Sequence, residues 1–135
     1  MRIEQEFFDA YIAIYRPYIN RANSILSSYN LYSSQWLILK DIAKNGTTTS
    51  VDVSRRRGIE KPTATKVIKH LLELGLIESK QGEDRRIKYL RMTESGKDLF
   101  DEVSGRMNAM QREVLEDFDH EEMEMLIRSL RRMNL

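Results

Sequence analysis

The chain contains no cysteine. That excludes a disulfide framework, a thiolate metal site, a cysteine nucleophile and a thiol redox switch. Its only histidines are His70 and His120, which share no ligand spacing, so we read them as surface or helix-end residues and expect no metal site. The acidic run from Glu116 to Glu124 is read as a helix-start charge pattern. No apolar run approaches the roughly 18 residues a membrane helix needs, and Met1 is not followed by a basic-then-apolar leader, so we expect a cytoplasmic protein without a membrane partner. Proline occurs twice and glycine six times in 135 residues, too few for a disordered or linker-rich chain. No phosphate-binding glycine loop, Ser/His/Asp order or HExxH motif is present, so we expect no enzyme and no cofactor.

What is present is one domain's worth of chain with 41% hydrophobic and 32% charged residues, enough for a single real core. The net charge of +1 hides an asymmetry. Residues 1–39 are neutral, residues 40–91 hold 13 basic and 7 acidic side chains, and residues 92–135 hold 6 basic and 11 acidic ones. A basic middle flanked by neutral and acidic ends points to a polyanion partner for the middle, or to a solvated charged face.

Apolar side chains at three- and four-residue steps from Ile3 to Tyr29 predict one long helix, with a kink or break expected at Pro17 and a left-handed cap at Asn30. Ser33 or Ser34 is expected to cap a second helix that buries Trp36, Leu37, Leu39, Ile42 and Ala43 and stops at Asn45-Gly46. Thr49 with Asp52 reads as a cap for a short helix ending at Gly58. A further helix, entered at Glu60 or Lys61 with Pro62 in its first turn, spans 61–74 and closes at Gly75. Two short helices across a tight turn make a helix-turn-helix. Leu76–Lys80 and Ile87–Arg91 read as strands joined by a polar loop at 81–86. Thr93 opens a helix to about Asp117, in which Gly96 and Gly105 each cost about 1 kcal/mol against alanine. Asp119 with Glu122 caps the last one.

The expected fold class is therefore mainly α with a small β-wing: a winged helix-turn-helix between long terminal helices. Several segments carry a resemblance to a known family. They are Leu31, Gln35-Trp36 and Leu39; Gly58 through Thr65; Leu71 through Ile77; Asp84-Arg85-Arg86; and Leu90 through Gly96 with its Thr-x-x-Gly spacing. Over essentially its whole length the chain resembles the MarR family of bacterial transcription regulators. The resemblance implies one MarR-like domain over 1–135, with residues 31–92 as the DNA-binding winged helix and 1–30 and 93–135 as dimerisation helices. The helix at 49–57 departs from the pattern. Val53-Ser54 stands where Leu-Ala is usual, and Arg57 stands where a further Leu is common. We expect Arg57 to run its stem along the surface and keep its charge in water.

The function expected is a homodimeric repressor of double-stranded DNA, reading an inverted repeat through the helix at 61–74 and the wing at 81–86. The alternative is a winged-helix protein–protein module with no sequence-specific DNA binding. The candidate DNA-binding residues are Arg55, Lys61, Thr63, Thr65, Lys66, Lys69, Lys80, Arg85, Arg86 and Lys88. Lys80, Lys88 and Arg91 are phosphate contacts or plain surface, and Ala64 touches a thymine methyl or packs in the core. Asp84 is read as the partner of one wing arginine, leaving open which of Arg85 and Arg86 enters the minor groove. Tyr11, Tyr15, Arg16, Tyr18, Tyr32 and Trp36 are either core or, as the resemblance implies, a pocket for a small aromatic effector.

Overall fold

A computed structural model describes residues 1–135. Helix α1 (Ile3–Leu26) leads through a 3₁₀ turn (Ser27–Tyr29) to α2 (Ser33–Asn45), α3 (Ser50–Arg57) and α4 (Lys61–Glu73). Strands β1 (Ile77–Gln81) and β2 (Lys88–Met92) follow, then α5 (Glu94–Val114) and α6 (His120–Arg131). The strands pair antiparallel, with Ile77 opposite Met92 and Gln81 opposite Lys88. Both lie one residue later than the alternation suggested, so the connecting loop is 82–87. Thr48 adds a one-residue third strand through reciprocal backbone bonds with Leu90 of 3.0 and 2.7 Å.

Helix α1 continues through Pro17, so the break allowed for there does not occur. Pro17 and Ala13 are both exposed, so the carbonyl that loses its donor can be hydrated. Ala22 and Leu26 pack the C-terminal half of the helix into the core. Asn30 takes φ 60° as expected, closing the 3₁₀ turn in the left-handed region. The start of α2 differs from expectation. Tyr32 is the N-cap residue and Ser33 the first helical one. Neither serine caps the helix: Gln35 Oε1 reaches back to accept from Tyr32 N at 2.9 Å, while Ser33 N donates to Asn23 Oδ1 at 2.8 Å.

The core gathers Leu26, Leu31, Trp36, Leu39, Ile42, Val53, Leu71, Leu90 and Val103 from five helices, a strand and the Leu31 turn. On α2 the buried side is Trp36, Ile38, Leu39, Asp41 and Ile42, whereas the expected Leu37 is 40% exposed and Ala43 half-buried. Helix α5 ends at Val114, three residues earlier than expected, and Val114 and Phe118 at the end of its stripe are exposed. Helix α6 buries none of its residues, and its Asp119 cap with Glu122 forms as expected.

The junction after α4 is unusually close. Thr93 Oγ1 donates to Gly75 O at 2.7 Å and accepts from Gly96 N at 2.9 Å, while Thr93 N donates to Leu76 O at 3.1 Å. The first turn of α5 thus presses on the turn that leaves α4. A Cβ on Gly96 would lie 1.9 Å from Leu76 O, an impossible contact with backbone. Gly96→Ala is expected to destabilise the protein by about 3 kcal/mol in urea unfolding, because the two backbones must separate. Gly105, in the same helix, faces open space. Gly105→Ala is expected to stabilise by about 0.5–1 kcal/mol through helix propensity alone.

Candidate nucleic-acid interface

Helix α4 is positioned by its inward face. Ala64, Ile68 and Leu71, at i, i+4 and i+7, are buried, so the opposite face must be exposed. Lys61, Pro62, Thr63, Thr65, Lys66 and Lys69 are all exposed: Lys66 and Lys69 lie away from the core, whereas Lys61, three residues before Ala64, is exposed because it starts the helix. Ala64 has no exposed surface, so it belongs to the core and is not free to meet a base.

The wing lies beside α4. Thr65 and Lys69 line a groove whose far wall includes Ser79, Lys88 and Leu90. A second groove runs between the start of α3 and the wing, past Ser50, Asp52, Arg86 and Lys88. Lys80 and Lys88 are exposed on the two strands, while Arg91 is clasped across the sheet by Glu78 at 2.7 Å. Arg55 is exposed on α3 beside Asp52 at 3.4 Å.

The wing tip resolves which arginine pairs with Asp84. Arg86 donates from Nε and Nη2 to Asp84 at 3.2 and 3.1 Å, and its backbone N donates to the same carboxylate at 3.0 Å. Arg85 is held only through its carbonyl, which accepts from Gln81 Nε2 at 3.0 Å. These donors, the Arg86 guanidinium first and its backbone N–H second, hold the Asp84 carboxyl below its ordinary pKa, with slight desolvation opposing. A depressed carboxylate pKa keeps its contribution above the unfolded value and loses it only as pH falls through the folded one. The clasp is therefore intact throughout the neutral range. Arg86 stays 91% exposed while held, so its guanidinium is oriented yet still available.

One polar network was not anticipated from the sequence. Asp41 on α2 is buried, its side chain only 7% exposed. Arg56 on α3 grips both its oxygens, from Nε at 3.1 and 3.2 Å and from Nη2 at 2.6 Å. The same Nη2 donates to Thr48 Oγ1 at 2.7 Å, beside the bridge to Leu90. The hydrogen bonds to Asp41 raise the Arg56 pKa further, with burial opposing, so this cation never titrates. An aspartate between Leu39 and Ile42 on a buried face was the signal: such a group needs a cation, and α3 offers three. Of the three, Arg56 reaches Asp41 with its side chain 34% exposed, whereas Arg55 is 74% exposed and Arg57 is exposed as expected.

The expected effector residues do not assemble into one group. Trp36 is 5% exposed and stacks on Phe100 at 5.2 Å between ring centres, which makes it core. Tyr18 accepts from Gln111 Nε2 at 2.8 Å. Tyr11, Tyr15, Arg16 and Tyr32 are exposed, with Tyr11 and Tyr15 6.1 Å apart.

The Asp41 network yields a test of how the wing is anchored. Asp41→Ala leaves Arg56 without its main partner and is expected to cost about 2 kcal/mol in urea unfolding. Hydrogen exchange at the Thr48 and Leu90 amides should accelerate more than at Val103 in α5. Uniform acceleration across the chain would show that the network does not anchor the wing locally.

Comparison with known proteins agrees with this architecture. A model of the MarR family matches residues 29–87. An uncharacterized HTH-type transcriptional regulator of Staphylococcus aureus (strain Mu50) is 46% identical over 114 residues, 84% of this chain and 78% of that protein. A solved Staphylococcus aureus MarR, in complex with salicylate and kanamycin, is 40% identical. It covers 96% of this chain and 89% of its own, with a TM-score of 0.89. A mutant MarR from E. coli, complexed with operator DNA, shares 16% identity and a TM-score of 0.81 over 98% of both chains, a likeness of fold. The chain belongs to the MarR family and is a winged-helix, DNA-binding transcriptional regulator.

Proposed function

We propose that this regulator is a homodimeric repressor that reads an inverted-repeat operator, α4 entering the major groove and the wing the adjacent minor groove. One observation carries the reading: Lys66 and Lys69 of α4 are exposed on the side away from Ala64, Ile68 and Leu71, and Lys69 with Thr65 shares a groove with the wing. Two such units related by a two-fold axis would present their recognition helices about 34 Å apart, one turn of DNA. Lys61, Lys66 and Lys69 supply charge to phosphates and bases, Thr63 and Thr65 supply hydroxyls, and Arg55, Lys80 and Lys88 flank them.

The second copy is argued from surface that one chain cannot cover. Phe7, Phe8, Tyr11, Ile12, Ile14 and Tyr15 on α1 are each 38–66% exposed. Met125, Leu126, Ile127, Leu130 and Met133 on and after α6 are 41–63% exposed. Apolar stripes of this extent mark an interface. Deleting residues 120–135 is expected to convert a dimer in light scattering to monomer or aggregate, and a monomeric full-length chain at micromolar concentration would refute the dimer.

A small aromatic effector fits the same assembly, supported by the salicylate complex of the 40% identical protein. Tyr11, Tyr15, Arg16 and Tyr32 are the side chains free to line such a site where the copies meet; Trp36 is not among them.

At the wing, Asp84 presents Arg86 to the minor groove, and Arg85 adds charge beside it. Holding the guanidinium in place before binding lowers the entropy lost on contact. This makes an unusual prediction of sign. Asp84→Ala removes a negative charge from a DNA-facing loop, yet is expected to weaken duplex binding severalfold, equally at pH 6 and pH 8. Arg86→Ala is expected to cost about 1–3 kcal/mol per contact and to flatten A·T preference at the flanks. Tighter binding by the Asp84 variant would instead make Arg85 the reader. Binding of random duplex is expected to fall linearly in log affinity against log salt, at about −0.9 per phosphate contacted. The absence of a slope would favour a protein–protein module.

A further inference from the structure

Arg57, at the end of α3, borders a cleft that the DNA-binding reading does not use. The cleft lies between α2, α3 and α5, is open to solvent with a volume of about 700 Å³, and includes no residue of α4 or the wing. Its polar rim carries Lys40 and Lys44, one turn apart on α2, and Arg57 from the end of α3. All three are exposed and none has a carboxylate within ion-pair distance. The only acid at the cleft, Asp41, is already neutralised by Arg56. The apolar floor is Leu37, 40% exposed where the helix pattern predicts burial, and the half-buried Phe100.

Three uncompensated cations over an aromatic and an aliphatic side chain suit one chemical class, a dianion carried on an apolar body. The size is that of small-molecule sites. Lysine and arginine together are the usual receptors of phosphate oxygens. We propose that this cleft binds a small organic phosphate ester, its phosphate on Lys40, Lys44 and Arg57 and its apolar part on Leu37 and Phe100, and that occupancy weakens the anchoring of the wing. The second half follows from Arg56, which lines the cleft while its Nη2 donates to Thr48 Oγ1. A phosphate that engages the unpartnered Nη1 of Arg56 pulls the guanidinium toward the cleft and strains the Nη2 bond to Thr48, the residue bridged to Leu90 of the wing. The effect on DNA rests on the reading that the wing contacts DNA; the binding itself does not.

The test uses the full-length protein, phenyl phosphate as probe and a duplex selected from a random library. Calorimetry without DNA is expected to show phenyl phosphate binding about tenfold more tightly than inorganic phosphate, because the ring adds apolar burial. The triple variant Lys40→Gln, Lys44→Gln, Arg57→Gln changes only exposed, unpaired side chains and should fold, as circular dichroism will report. It is expected to lose phenyl phosphate affinity by at least about tenfold, while its duplex affinity without ligand stays within about twofold of wild type. Phenyl phosphate should lower the duplex affinity of wild type about fivefold and leave the variant unaffected. Equal phenyl phosphate affinity in wild type and variant overturns the site. A variant that loses duplex affinity shows these cations on the DNA backbone and also overturns it. Binding that leaves the wild-type duplex affinity unchanged overturns the link to the wing. Should no duplex be bound at all, the calorimetric comparison still decides the site.

Discussion

The grip of Arg56 on Asp41 is the contact through which the DNA-facing parts are held in one relative position. It joins α2, the central core helix, to α3, the first helix of the helix-turn-helix. Through the same guanidinium it reaches Thr48, whose backbone is paired with β2. Three elements that would otherwise share only apolar contacts are thereby fixed in register. Apolar packing is non-directional and tolerates sliding; a bidentate guanidinium–carboxylate pair does not. Whether such a pair adds net stability over an apolar replacement is a separate matter, since desolvation offsets much of the attraction. Its value here is geometric: it fixes α2, α3 and the strand paired with Thr48 in one arrangement.

The Thr93–Gly96 junction fixes the other end of the same unit. Thr93 bonds to both Gly75 and Leu76, so the residues leaving α4 and those entering α5 are tied side by side. By helix propensity alone Gly96 is a small penalty. The structure shows the penalty offset by a backbone approach that any side chain would forbid. Helix propensity is a local property, and the carbonyl that forbids a Cβ lies twenty residues earlier in the chain. No local pattern reports it.

The same distinction separates what was legible from what was not. Caps formed within three or four residues, at Thr49, Thr93 and Asp119, could be read directly, as could the left-handed Asn30 and Gly58. The cap of α2 was misread because a serine before a helix is the usual signal, whereas here Gln35 supplies the oxygen and Asn23 engages Ser33 from another helix. Periodicity identified the buried stripe of α4, which packs on one side only. It misassigned Leu37 and Ile38 on α2, a helix contacted by α1, α3, α4, α5 and β2, so that burial spreads around it. At the interface, the spacing Asp84-Arg85-Arg86 showed that a pair would form but not its partner. That choice depends on the loop letting Arg86 fold back two residues onto Asp84.

Charge is the remaining thread. The basic excess of residues 40–91 divides into two exposed groups. One, on α4 and the wing, faces a common groove system. The other, Lys40, Lys44 and Arg57, lies at a cleft that includes neither element. Unpaired like charges close together repel, and a cleft with low-dielectric walls concentrates their field. Such an arrangement costs stability in the free protein and is relieved by an anion. Arg56 stands between the groups, its charge committed to Asp41 and one donor lent to Thr48. A ligand that pulls on that guanidinium through its free Nη1 needs no large motion to be felt at the DNA face. Thr48 would have to find another partner, and the bridge to Leu90 is the nearest backbone that depends on where Thr48 sits. The network that gives the winged helix its rigidity is thus also the place where a small anion could regulate it.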